Sequence, residues 1–379
     1  MRGVRTRGVV VLSVVVAVLA AAPAAAHDRG EDLRVVAKGL DNPRGLAFGP
    51  DGGLYVTESG RGGTDCVVPS PEGDGTNCFG TTGAITRVDV WHGGQQRIAE
   101  GLASIASPQG AEAIGPSDIS FGKRGRGFFT VGLGADPALR ERFPELAGMA
   151  RLYVLRANRE PKAIADLGAF EAANNPDAGQ PTSSLDTNPN SVDASRHKVA
   201  VADAGGNDVL SVSKRKGISV LGVLPFTINP APPGIPDLPE GTPLPTQAVA
   251  TSVVRGPDGA YYVGQLTGFP FPVGVANVWR IEPGSAPEIY ASGFTQITDL
   301  AFGPDGSLYV LEIATGSLAG PPTPGALIRV SADGTRSELA PGALVAPTGL
   351  ALGHHAAYVS NHGSEAANGE VVRIPLGAH

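Results

Sequence analysis

Short apolar runs broken by tight turns recur along the whole chain. The clearest is Leu46-Ala-Phe-Gly-Pro-Asp-Gly-Gly-Leu-Tyr-Val56, which returns almost unchanged as Leu300-Ala-Phe-Gly-Pro-Asp-Gly-Ser-Leu-Tyr-Val310. A looser copy is Val253-Val-Arg-Gly-Pro-Asp-Gly-Ala-Tyr-Tyr-Val263. Gly-Pro-Asp-Gly puts proline where φ near −65° is wanted and glycine where φ must be positive, so each copy reads as two strands joined by a hairpin turn. Aligned on this hairpin, the chain divides into six units whose first strands close at Gly49, Gly122, Ser195, Gly256, Gly303 and Gly353, 47 to 73 residues apart. Four short strands per unit at that period predict an all-β fold, a six-bladed β-propeller. The sixth unit runs out after its third strand at Ile374, and an unassigned strand stands at 33–40. The N-terminal strand is expected to supply the missing fourth, which closes the last blade and removes an open edge.

In such a ring the second-to-third and fourth-to-next connections lie on one face. Every long excursion falls in those two classes: 59–82, 133–149 with a short helix expected at 137–146, 167–189, the Pro-rich 225–247, 265–276 and 313–325. The other face carries minimal turns. An elaborated face on a rigid scaffold is where binding resides, although exposed loops also drift in length without function.

Composition narrows the partners. With Gly 53, Pro 33 and only 17% charged residues in 379, the chain is turn-rich and large enough for one sizeable core. Residues 1–26 read as a secretory signal: Arg2, Arg5 and Arg7, an apolar run from Val9 to Ala22, then Ala24-Ala25-Ala26. The apolar run is shorter than the roughly 20 residues a membrane span needs. Its removal leaves 26 basic against 36 acidic residues in a single domain from 27 to 379, secreted or held in the cell envelope without a stable membrane anchor. An acidic surface with no Lys/Arg block argues against nucleic acid as a partner. The two cysteines, Cys66 and Cys78, share one Gly-rich loop and are expected to form a disulfide.

Two rings of polar residues emerge from the alignment. At the starts of the first strands stand Gly45, Asp118, Ser191, Ser252, Asp299 and Gly349; at the ends of the second strands stand Glu58, Gly132, Asp203, Gln265, Glu312 and Asn361. Two roles suit them. They can accept hydrogen bonds from loop backbone and keep the channel wet. Alternatively Asp118, Asn190, Asp299 and Glu312 converge on a hard cation, with Ca²⁺ the cofactor to expect from oxygen ligands without cysteine. Glu58, Asp203, Gln265, Asn361 and His362 would then border the channel mouth. No Gly-x-Ser-x-Gly elbow and no phosphate-cradling Gly-rich loop is present. No basic cluster is available for the carboxylates of a quinone.

Asn42-Pro-Arg-Gly-Leu46, Leu54-Tyr-Val-Thr-Glu58 and especially Val201-Ala-Asp-Ala-Gly-Gly-Asn-Asp-Val-Leu210 resemble the ScyD/ScyE family of exported bacterial propellers. The resemblance spans nearly all of the chain after about residue 30 and implies a secreted propeller; the family has no agreed catalytic residue set to carry over. A more distant likeness is to the gluconolactonase, regucalcin and paraoxonase propellers, which bind a divalent cation and hydrolyse lactones or esters. Asn188-Pro-Asn-Ser-Val-Asp193 is similar to their Asn-Gly-Leu-Ala-x-Asp element, with Asn190 and Asp299 as ligand counterparts. Pro43-Arg44-Gly45 stands where that group has a glutamate. The expected function is binding of a small molecule, glycan or protein through the loop-rich face; the alternative is a Ca²⁺-dependent lactonase or esterase.

Overall fold

The structure, a computed structural model, describes residues 33–70, 75–122, 125–156, 159–195, 198–235 and 238–376; the expected signal at 1–26 lies outside them. Strands dominate, in antiparallel sheets of four or five. Sheet one is Pro43–Phe48, Leu54–Glu58, Thr76–Val88 and Gln95–Ala106, with Asp65–Pro69 added to the lengthened third strand. Sheet two is Pro116–Phe121, Gly127–Val131, Arg151–Arg156 and Arg159–Asp166, and sheet three is Pro189–Ala194, Val199–Asp203, Asp208–Ser213 and Gly217–Val223. Sheet four is Ala250–Arg255, Tyr261–Gln265, Ala276–Ile281 and Glu288–Phe294, and sheet five is Ile297–Phe302, Leu308–Glu312, Gly325–Val330 and Arg336–Leu344. Sheet six is Gly349–Gly353, Ala356–Asn361 and Gly369–Pro375, and its fourth strand is Arg34–Leu40 from the other end of the chain.

The hairpin reading holds at each Gly-Pro-Asp-Gly. The second glycine takes φ of 76° at Gly52, 85° at Gly259 and 81° at Gly306, a region that side chains with a Cβ avoid. The turn aspartate also reaches an arginine on the third strand in all three copies, as Asp51–Arg87, Asp258–Arg280 and Asp305–Arg329. These pairs are at the surface and add little to stability.

The apolar core is divided among the gaps between sheets. Leu46, Leu54 and Val56 of sheet one pack on Ala356, Tyr358 and Val371 of sheet six, while Ile85 and Ile105 meet Ile119 and Phe129 of sheet two. The same holds between two and three, three and four, four and five, and five and six. Aromatic edges bridge the gaps, as in Tyr55–Phe121 at 4.7 Å and Phe48–Tyr358 at 5.2 Å between centroids.

Three features depart from the sequence reading. The helix expected at 137–146 is a single turn, Leu139–Arg142, followed by a 3₁₀ segment, Pro144–Gly148, because Pro144 cannot continue the hydrogen-bond ladder. A helix at Leu167–Asn174 was not anticipated; Asp166 caps it by accepting from the Ala169 N–H at 2.9 Å. Thr227–Pro230 and Pro243–Thr246 pair as a two-stranded ribbon inside the Pro-rich excursion.

Cys66 and Cys78 are joined, tying the added strand of sheet one to its third strand. Replacing both with serine is expected to cost up to about 3 kcal/mol, as the chain-entropy cost of a loop of this length. A urea titration would read this as a lower midpoint with a larger m-value, because the unfolded chain expands.

Candidate functional site: the axial cavity

The first strands of the six sheets approach one another around a cavity of about 110 Å³. Its wall carries Arg44, Asp118, Asn190, Ser191, Thr251 and Asp299, with Thr298 and Thr348 beside them. Three of the four residues expected to meet a cation, Asp118, Asn190 and Asp299, therefore share one wall. Glu312 does not line it. Its Oε1 accepts from the Thr295 N–H at 2.7 Å, and burial pushes its pKa up to about 7.

Hydrogen bonds at this wall link the first strands of sheets two to six in succession, and side chains beside the first strands link sheet six to sheet one and sheet one to sheet two. Asp118 Oδ2 accepts from Ser191 Oγ and from the Val192 N–H, both at 2.8 Å. Ser191 Oγ in turn accepts from the Val253 N–H at 3.1 Å, and Ser252 Oγ accepts from the Leu300 N–H at 3.1 Å. Asp299 Oδ2 accepts from the Leu350 N–H at 2.7 Å. From sheet six, Thr348 Oγ1 donates to Pro43 O at 2.7 Å and Ser360 Oγ to Arg44 O at 2.6 Å. Thr57 Oγ1 carries the chain of contacts from sheet one to Ser117 O in sheet two at 3.1 Å. The polar ring read from the sequence is thus a set of staples between neighbouring strands.

The electrostatics are those of two carboxyls held against each other. Burial raises the pKa of Asp118 first, and the charge of Asp299 raises it further. Asp299 is also raised, by burial, against the lowering effect of its bonds from Ser252 and two backbone N–H groups. Arg44 is the cation on this wall; burial lowers its pKa to about 10 against the raising effect of Glu112, which leaves it protonated at neutral pH, and it donates to Ala113 O at 2.7 Å. Asn190 donates through Nδ2 to Thr251 O at 2.7 Å.

The second ring lies away from this wall. Glu58 accepts from the Asp41 N–H at 2.8 Å, Asp203 from the Asn188 N–H at 2.6 Å and Asn361 from the Val345 N–H at 2.7 Å, each from the loop that leads into its own sheet. Gln265 differs: its Oε1 accepts from Trp279 Nε1 at 3.0 Å and Asn277 Nδ2 at 3.1 Å. His362 Nδ1 lies 2.9 Å from Glu365 Oε1, half-buried. Among the described residues no three His, Cys, Asp or Glu side chains stand arranged to hold a metal ion, and no helix is long and apolar enough to cross a membrane.

The excursions meet one another. Ala135 bridges to Thr187, Gln180 bonds to Leu224 O and the Phe226 N–H, and Gln247 Nε2 donates to Thr182 O. Ser317 Oγ donates to Pro270 O, and the Asn42 N–H to Glu365 O. The sequence alignment points to Asp118, Asn190 and Asp299; Ser117 and Thr251, each one position before a residue of the first ring, also line the cavity and are missed by it.

No protein-family model matches the sequence, and no curated protein matches it significantly. Solved structures do. A PQQ-bound aldose sugar dehydrogenase from Streptomyces coelicolor is 14% identical over 91% of this chain and 97% of that one, with a TM-score of 0.52. A protein of unknown function from Bacteroides thetaiotaomicron is 10% identical over 91% of this chain and 75% of that one, with a TM-score of 0.53. A glucose dehydrogenase is 13% identical over 92% and 99%, with a TM-score of 0.49. At such identities the likeness to the first two speaks for the fold alone: this chain is a β-propeller.

Proposed function

We propose that the six sheets close into a six-bladed ring and that the protein is an exported binding module of the ScyD/ScyE kind, holding a small molecule, glycan or protein on its loop-rich face. The observation that carries this reading is how the axial residues are used. Asp118, Ser191, Ser252 and Asp299 spend their oxygens on neighbouring strand backbone, and among the described residues that line the cavity there is no nucleophile–base pair. Above them, excursions from neighbouring sheets bond to one another and form a continuous platform.

A second reading, hydrolysis of a lactone or ester, is favoured by one observation: Asp118, Asn190 and Asp299 share the wall of a small polar cavity. A bound Ca²⁺ would polarise a carbonyl or activate water there, and this chain's part would be to hold it with the two carboxylates and the Asn190 amide oxygen. Oxygen donors of this kind suit that ion. The quinone of the dehydrogenase neighbour does not fit. A tricarboxylate far larger than about 110 Å³ would press against two carboxyls with Arg44 alone to oppose them.

The readings separate on a panel of lactones and aryl esters, assayed with Ca²⁺ and then with chelator. The binding module is expected to show no chelator-sensitive turnover. Turnover that chelator abolishes, and that disappears in Asp118→Ala and Asp299→Ala, would replace it with the hydrolase.

A further inference from the structure

A second group of acids lies outside the axial cavity. Asp203 and Asp208 are partners in the register of the second and third strands of sheet three. Both are essentially inaccessible, at 1% and 0% exposure. Like charges directly opposite across a strand pair repel, and burial removes the water that would screen them. Glu171, on the helix Leu167–Asn174, and Asp177, in the connection after it, are buried beside them. The charges of other carboxyls, Asp203 and Asp177 among them, act on both Glu171 and Asp208.

Their hydrogen bonding is uneven. Asp203 accepts from Thr187 Oγ1 and from the N–H groups of Asn188, Gly205 and Gly206. Asp177 accepts from Ser183 Oγ and Asn207 Nδ2. Glu171 meets the Asn175 amide at 3.2 Å. Asp208 has no partner at either oxygen, although fully buried. Native folds pair such groups, so this one points to something that completes it.

Gly206 shows where. A Cβ at that position would lie 3.3 Å from Glu171 Oε2 and 3.7 Å from the carboxyl carbons of both Asp203 and Asp208. Three carboxyl groups thus lie within 4 Å of one point that a side chain at this position would fill. Its φ is not positive, so backbone conformation does not demand glycine there.

We propose that Glu171, Asp203 and Asp208 bind a divalent hard cation, Ca²⁺, beneath the loop-bearing face of sheet three, at a site independent of the axial cavity. Ca²⁺ takes six to eight oxygens with loose geometry, and backbone carbonyls and water would complete the set. As they stand the three side chains are not arranged to hold an ion, so binding requires the uncommitted Asp208 and the helix-borne Glu171 to turn toward it. Bound there, the ion fastens the helix and its following connection to the sheet. That connection in turn grips the next excursion through Gln180 and Thr182, so the ion organises the binding platform.

The test is calorimetric titration of the full chain with CaCl₂ after chelator treatment, paired with thermal melts. Wild type is expected to bind Ca²⁺ and to melt about 5 °C or more higher in its presence. Asp208→Asn and Glu171→Gln should each lose that gain. Without Ca²⁺, Asp208→Asn should melt no lower than chelated wild type, because it removes a buried repulsive charge. Asp118→Asn should keep the gain. Absence of Ca²⁺ binding by wild type would overturn the proposal. So would a gain that survives in both Asp208→Asn and Glu171→Gln, or one that vanishes in Asp118→Asn instead, which would put the ion in the axial cavity.

Discussion

Gly349→Ala is expected to destabilise the protein by about 3 kcal/mol, the upper range for forcing extra atoms into a packed interior. An added Cβ would lie 2.3 Å from Arg44 O and 2.8 Å from the Gly45 Cα, both backbone atoms of sheet one. Neither can rotate out of the way, so sheets six and one must separate. That strains the two bonds that link them, Thr348 to Pro43 O and Ser360 to Arg44 O. Gly45→Ala acts on the other side of the same strand: its Cβ would collide with Asp118 at the carboxylate and at Cα. Asp118 would then be pushed off its bonds to Ser191 and Val192. Gly179→Ala is the control, since nothing lies within 4 Å and its φ is not positive. Urea midpoints measure all three. A Gly349→Ala protein as stable as wild type would mean that sheets six and one do not meet in this way, and the closed ring would fall with that contact.

In chelator, stability is expected to fall as pH rises from about 5 to about 8. Burial holds Asp118 and Asp299 well above ordinary carboxyl values, the charge of Asp299 raising Asp118 further, and burial holds Glu171 up at about 8. A carboxyl whose folded pKa is raised binds its proton more tightly in the folded state. Its contribution is present at low pH and is lost as pH climbs from the unfolded value through the folded one, by at most about 1.4 kcal/mol per pH unit for each group. Asp305 behaves oppositely. Backbone N–H bonding from Ser307 and the Arg329 guanidinium hold it down at about 2, so its contribution is already complete above about pH 4 and adds no slope here. Urea titrations at pH 5, 6.5 and 8 measure the trend, and Asp118→Asn or Glu171→Gln should each flatten it. A curve that is level or rises over this range would show that these carboxyls are solvated in the folded protein.

The alternation of apolar and polar positions placed most strands within a residue or two. The hairpin around Gly49-Pro-Asp-Gly52 came out as read, with strands Pro43–Phe48 and Leu54–Glu58, because the turn marks one end of each strand and alternation marks the rest. The N-terminal strand, too, was visible as an unpaired run with a vacancy to fill. What escaped lies in the excursions. The helix Leu167–Asn174 spans barely two turns, too few to display a period, and only its Asp166 cap signalled it. The ribbon at Thr227–Pro230 and Pro243–Thr246 is rich in proline, which argues against strands except where one N–H side is unpaired. At the axis, the repeat located Asp118 and Asp299 because both stand at an equivalent position in their units. Glu312 belongs to the other ring, at the ends of the second strands, and its carboxylate accepts from the Thr295 N–H and does not line the cavity. The acids around Gly206 went unread because Glu171 is distant in sequence from Asp203 and Asp208. The signal available was Asp203-Ala-Gly-Gly-Asn-Asp208 itself, a tight connection that sets two carboxylates face to face.

The pairing of Arg34–Leu40 with Gly369–Pro375 has a consequence for how this molecule is made. Sheet six cannot be finished until both termini have emerged and found each other. During synthesis the first five sheets can assemble locally, but the nascent product keeps a seam until its last strand arrives. A ribosome-bound intermediate therefore lacks a completed sheet six, and the pairing of Arg34–Leu40 with Gly369–Pro375 is a late event in folding.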